Sequence, residues 1–93
     1  MKATAVTREI VIRNRLGLHA RAAAQFVKTA ERFRAEITVG VGRHTVNGKS
    51  IMGLLMLAAS QGTALTLRAQ GEDGSAALQA LADLVEARFG ERE

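Results

Sequence analysis

Residues 9–13 alternate polar and apolar side chains and put Ile10 and Ile12 on one face, the two-residue period of a half-buried strand. Gly17 interrupts that pattern. From Ala20 the apolar positions fall three and four apart, at Ala23, Phe26, Val27, Ala30 and Phe33, which predicts a helix with one buried stripe. Residues 36–41 return to alternation through Ile37, Val39 and Val41. Gly40 and Gly42 mark a turn or bulge, and residues 43–46 supply a short return strand. Ser50 precedes an apolar run over 51–59 that reads as a short helix, with Gly62 closing it in the left-handed conformation. Residues 63–70 give the cleanest strand, with Leu65, Leu67 and Ala69 on one face. In the turn at 71–75, Asp73 or Ser75 is placed to cap a last helix. That helix carries Leu78, Leu81, Leu84, Val85 and Phe89 as its stripe and ends at Gly90.

The order is βαββαβα. There are too many strands for the crossovers of a parallel sheet, so the expectation is an α+β fold with an antiparallel sheet and helices packed on one face. No linker, repeat or low-complexity stretch divides the chain, and 93 residues suit one domain spanning 1–93. A hydrophobic fraction of 47% with 24% charged residues suits a packed core and argues against wholesale disorder. Apolar stretches break before the roughly 18 residues a membrane span needs, and the N-terminus does not read as a secretion signal. The expectation is a soluble, cytoplasmic protein. Cysteine is absent, which removes disulfides, thiolate metal sites and a cysteine nucleophile together.

Charge is unevenly placed. Residues 1–50 hold ten basic and three acidic side chains, a net +7, whereas residues 51–93 hold three basic and six acidic, a net −3. The basic half suits an acidic protein surface, nucleic acid or anionic lipid, or is simply solvated. Three Phe and no Trp or Tyr leave little to stack on bases, which weakens a single-strand nucleic-acid reading.

The candidate chemistry lies in Gly17-Leu18-His19-Ala20-Arg21. His19 sits where the strand pattern stops and the helical stripe starts. A first helical turn leaves backbone N–H groups unpaired and carries about half a positive charge. Anions settle there readily, and Arg21 adds a fork of donors suited to phosphate oxygens. Positive surroundings favour an unprotonated, nucleophilic imidazole and would later stabilise a phosphoryl dianion on it. Taken alone, such a histidine is more often a surface residue or a local cap. Metal binding is poorly served, because the only other histidine, His44, lies in a distant strand, and no nucleophile elbow accompanies His19.

The segment from Gly17 to Val27, Gly-Leu-His-Ala-Arg-Ala-Ala-Ala-Gln-Phe-Val, resembles the active-site segment of the HPr phosphocarrier family of the bacterial phosphoenolpyruvate-dependent phosphotransferase system. Val46-Asn47-Gly48-Lys49-Ser50-Ile51-Met52-Gly53 resembles that family's regulatory serine segment, and the turns at Gln61-Gly62-Thr63 and Gly71-Glu72-Asp73 also fit. The likeness runs from about Glu9 to Phe89 in one element order. It implies an open-faced β-sandwich, a four-stranded antiparallel sheet covered on one face by three helices. It further implies a carrier rather than an enzyme, without cofactor or metal. Its histidine, matching His19, takes a phosphoryl group on Nδ1 from phosphorylated enzyme I and passes it to an enzyme IIA domain. Arg21 matches the arginine that steadies the phosphate. Ser50 matches the serine modified by an HPr kinase/phosphorylase. Where the family usually has proline after that arginine, this chain has Ala22, which leans toward a nitrogen-related or regulatory relay not coupled to sugar transport.

Ser50 also has a plain role as an N-cap, worth about 1 kcal/mol. The helix it opens has too many apolar residues for one stripe, so some reach solvent unless all are core. By the same resemblance, Ile51, Met52 and Leu55 form the exposed patch that docks partners, and Lys28 and Lys49 are candidate rim charges beside Arg21. A monomer that contacts no nucleic acid and no membrane is the expected form. A small basic nucleic-acid-binding module is the alternative of another class, distinguished by its indifference to loss of His19.

Overall fold

A computed structural model describes residues 5–93. Four strands, β1 (Ala5–Val11), β2 (Glu36–Val41), β3 (His44–Asn47) and β4 (Ala64–Gln70), form one antiparallel sheet in the order β1-β4-β2-β3. Three helices, α1 (Ala20–Ala30), α2 (Ile51–Met56) and α3 (Gly74–Glu86), follow the expected order. The register sets Leu67 of β4 opposite Arg8 of β1 and Val39 of β2, and Ala69 opposite Val6 and Ile37. Alternation then sends Ile37, Val39, Leu65, Leu67 and Ala69 into the core, while Thr66, Arg68 and Gln70 stay exposed on the uncovered face.

The core is closed by Phe26 from α1, Leu54 from α2 and Leu78, Leu81 and Val85 from α3, all buried. Each such side chain gains about 1.5–3 kcal/mol from leaving water. Alanines at 22, 23 and 30 are buried as well, so α1 lies close to its neighbours with Phe26 as its one large wedge.

Several boundaries differ from the sequence expectation, each for a physical reason. β1 starts at Ala5 and is paired to Val11, not spread over residues 9–13. Arg8 hides the strand there: it occupies a core-side register position at a sheet edge, where its guanidinium escapes to the Gln79 side-chain oxygen Oε1 at 3.0 Å. Ile12 continues the extended path and is buried beside Ile10. α1 ends at Ala30, leaving Phe33 half-buried in the turn beyond it. α2 ends at Met56 rather than near residue 59, because Ala58 takes a left-handed φ of 50° ahead of Gly62. α3 stops at Glu86, and Phe89 reaches the core from a following 3-10 turn, Arg88–Gly90.

Asp73 occupies the N-cap position of α3 without capping it. Its carboxylate instead accepts the backbone N–H groups of Arg34 at 2.8 Å and Ala35 at 2.9 Å. The Arg34 N–H, more than any other group, holds the Asp73 carboxyl below the usual carboxylate range, against the opposing effect of desolvation. The turn before α3 is thereby tied to the loop between α1 and β2. Ser50 does cap: its Oγ accepts the Gly53 N–H at 3.0 Å, as expected.

Candidate functional site

His19 stands in the N-cap position of α1 with extended backbone angles, φ −78° and ψ 178°. Its carbonyl accepts the Ala23 N–H at 2.8 Å, the first bond of the helix. The N–H groups of the preceding turn, at Ala20, Arg21 and Ala22, therefore have no partner within the helix. The His19 side chain does not cap them. Arg21 is exposed beside it, and Ala22 is fully buried in the first turn, where it packs instead of the family's proline.

The imidazole turns the other way. Its Nε2 meets the carboxylate of Glu91, and the Glu91 Oε1 accepts the Asn14 side-chain amide at 2.9 Å. Asn14 is fully buried and gives its amide to the Gly17 carbonyl as well, at 2.8 Å. Burial acts to raise the Glu91 carboxyl, but hydrogen bonds from His19 and Asn14, with the charges of His19 and Arg21, outweigh it and hold Glu91 below its ordinary value. An ionised carboxylate is an acceptor only, so Nε2 carries the shared proton. Nδ1 makes no hydrogen bond among the described residues, and the side chain keeps 27% of its surface in contact with solvent. The expectation of purely positive surroundings is corrected here: a negative group lies on one edge of the ring.

The loop ahead of α1 owes its path to Gly17. With φ at 69° it enters the left-handed region, and a Cβ there would come within 2.6 Å of the Ala59 carbonyl oxygen. The Leu18 N–H bonds that same oxygen at 2.8 Å, so the segment that follows α2 lies against the one carrying His19. Leu16, Ile51, Met52 and Met56 are the exposed large apolar side chains on these elements.

The docking candidates divide. Ile51 and Met52 are exposed as expected, whereas Leu55 is half-buried against the core. Lys49 is half-buried, and its Nζ donates to the Phe33 carbonyl at 2.7 Å. Lys28 lies in the last turn of α1, about 13 Å along the axis from His19. Sequence reasoning missed Asn14 and Glu91, which sit 77 residues apart. Only Gly90, a turn signal just before an acid, hinted at the second. Among the described residues, no group of three or more His, Asp or Glu is placed to hold a metal ion, and no helix is long and apolar enough to cross a membrane.

A family model described as the PTS HPr component phosphorylation site matches residues 6–87. The chain belongs to the HPr family. It is 51% identical over 84 residues to the phosphocarrier protein HPr of Neisseria meningitidis, covering 90% of this chain and 94% of that one. A phosphocarrier protein NPr from Shewanella violacea is 44% identical over 88 residues, 95% and 97% of the two chains. The crystal structure of HPr from Thermoanaerobacter tengcongensis superposes with a TM-score of 0.91 at 46% identity, covering 95% of this chain and 99% of that one. The open sheet with three helices on one face is therefore the HPr fold, and the chain is a phosphocarrier of the phosphotransferase system rather than a catalyst. That identity displaces the nucleic-acid-binding alternative.

Proposed function

We propose that His19 of this single-domain, cytoplasmic HPr is the acceptor, taking a phosphoryl group on Nδ1 from phosphorylated enzyme I and passing it to an enzyme IIA domain. The observation that carries this reading is the ring's position. Nδ1 makes no hydrogen bond, and it belongs to the residue that opens a helix with unpaired N–H groups, two positions before Arg21. The dianion formed on transfer meets those donors and the Arg21 guanidinium. His19, Arg21 and Glu91 come from one chain, so the site needs no second copy, in keeping with a monomer. The test mixes the protein with enzyme I and radiolabelled phosphoenolpyruvate. Acid-labile label on the wild type and none on His19→Ala is the expected result; label retained by His19→Ala refutes the assignment.

Ser50 is read as the regulatory phosphorylation site of an HPr kinase/phosphorylase. Its hydroxyl is half-buried in the cap of α2, next to the exposed Ile51 and Met52. A phosphate there adds up to two negative charges at the edge of the apolar face that receives partners. Ile51, Met52 and the half-buried Leu55 are read as that face, and methionine suits a surface that fits enzyme I and IIA domains in turn. Ser50→Asp and Met52→Asp are each expected to slow labelling by enzyme I while leaving thermal unfolding nearly unchanged. Transfer at the wild-type rate would remove this face from the docking role.

A nitrogen-related relay is the second reading, favoured by the NPr relative and by Ala22 in place of proline. HPr-named relatives span 43–51% identity and bracket the NPr relative at 44%, so the branch is decided by which IIA domain discharges the protein. Competing the charged protein between a sugar-specific and a regulatory IIA domain separates them, by which one discharges it faster.

A further inference from the structure

The chain after α3 is bent back onto the site. Arg88 and Phe89 both take left-handed backbone angles, φ 58° and 54°, and Gly90 follows at 78°. Each non-glycine residue in that region costs about 1–2 kcal/mol, so the bend needs an anchor. Phe89 supplies it, buried to 3% exposure. Beyond the bend, the Glu93 backbone oxygen accepts the Arg15 N–H, and its carboxylate pairs with the Arg15 guanidinium at 2.8 Å. That pair is about 70% exposed on both sides and adds little by itself. Glu91 lies between these two fixings, pressed against His19 and Asn14. Both amide hydrogens of Asn14 are committed, one to Gly17 and one to Glu91, so the carboxylate is held in one orientation. This segment lies past residue 87, where the family match ends.

We propose that Glu91 is a positioning residue for phosphoryl transfer, holding the proton of His19 on Nε2 and thereby keeping the lone pair on Nδ1. The proposal rests on His19 being the acceptor. In the step itself the Nδ1 lone pair forms the new bond to phosphorus. The donor's own bond to phosphorus breaks, and its electron pair returns to the donor atom. No proton leaves the ring, because Nε2 keeps its hydrogen throughout, shared with Glu91. The ring becomes positive as the P–N bond forms, and the carboxylate faces that charge. An imidazole without this partner divides its proton between the two nitrogens and offers the wrong one part of the time.

The experiment follows the His19 ring by nitrogen-15 NMR at alkaline pH, where the imidazole is neutral, alongside the rate of labelling by enzyme I. Wild type, Glu91→Ala, Glu91→Gln and His19→Ala are compared. The wild type is expected to show a protonated Nε2 and a bare Nδ1. Glu91→Ala is expected to give a mixture of the two tautomers and labelling about tenfold slower, the low end of the roughly 10–100-fold cost of removing a carboxylate that orients a metal-binding histidine. Glu91→Gln keeps the shape and guards against loss of fold, but Asn14 takes its single oxygen, so its amide N–H faces Nε2 and is expected to shift the proton toward Nδ1 and to slow labelling at least as much as Glu91→Ala. An unaltered tautomer and rate in Glu91→Ala overturns the positioning role while leaving His19 as acceptor. Label surviving in His19→Ala overturns the acceptor reading and this role with it.

Discussion

Gly17→Ala is expected to lower stability by about 2–5 kcal/mol, from two costs that act together. A left-handed backbone penalises any Cβ by about 1–2 kcal/mol. Forcing an atom into filled space adds about 1–3 kcal/mol. Here the space is filled by backbone, the Ala59 carbonyl oxygen at 2.6 Å and the Ser60 Cα at 3.0 Å, so no side chain can swing aside. The loop must move, and it carries the Leu18 bond to Ala59, the Asn14 bond to Gly17 and His19 two residues on. Loss of transfer should therefore exceed what the unfolded fraction explains. Chemical denaturation paired with the labelling assay checks this; a variant as stable and as active as wild type would mean the loop has room that the geometry denies it.

Phe26→Ala should cost about 3–5 kcal/mol, the range for emptying an aromatic site in a packed core. Phe26 is fully buried, and the neighbouring core positions on its own helix, Ala22, Ala23 and Ala30, are too small to close over the void. For a domain of this size each kcal/mol moves the melting midpoint by roughly 4–8 °C, so a fall of more than about 12 °C is expected. Total stabilities of small domains are about 5–15 kcal/mol, so at least about a fifth of the margin goes. The site differs in its response from Gly17. Phe26 touches none of the groups around the His19 ring through a hydrogen bond, so labelling at low temperature, where the variant is still folded, should stay close to wild type. Calorimetry and the labelling assay separate the two outcomes.

Much of this architecture was legible in the residues. Leu65, Leu67 and Ala69 alternate without exception, and β4 lies centrally where that alternation is enforced by a strand on either side. α1 carries its apolar stripe at helical spacing, and His19 falls at its N-cap as the change of period indicated. Edges and ends were harder. Arg8 disguised the start of β1 because an edge position lets a charged side chain leave a core-facing register. Phe89 looked like another turn of α3, since a buried aromatic after a helical stripe carries no sign of a backbone that has turned left-handed. Leu55 falls among the docking residues by resemblance and Lys49 among the rim charges by its sign; that one packs partly against the core and the other bonds the Phe33 carbonyl depends on segments distant in sequence. Asn14 and Glu91 were unreadable for a different reason: each acquires meaning only through the other, far along the chain.

That distance bears on how the molecule is made. His19 and Glu91 are separated by 72 positions, and β1 finds its partner β4 near the opposite end of the sequence. Contacts between such remote segments wait for loop closure and form late in folding relative to local helices. A chain still emerging, or trapped with its tail undocked, has α1 and its histidine but not the carboxylate that orients the ring. Readiness to be charged is thus coupled to completion of the whole fold, and half-finished copies make poor recipients.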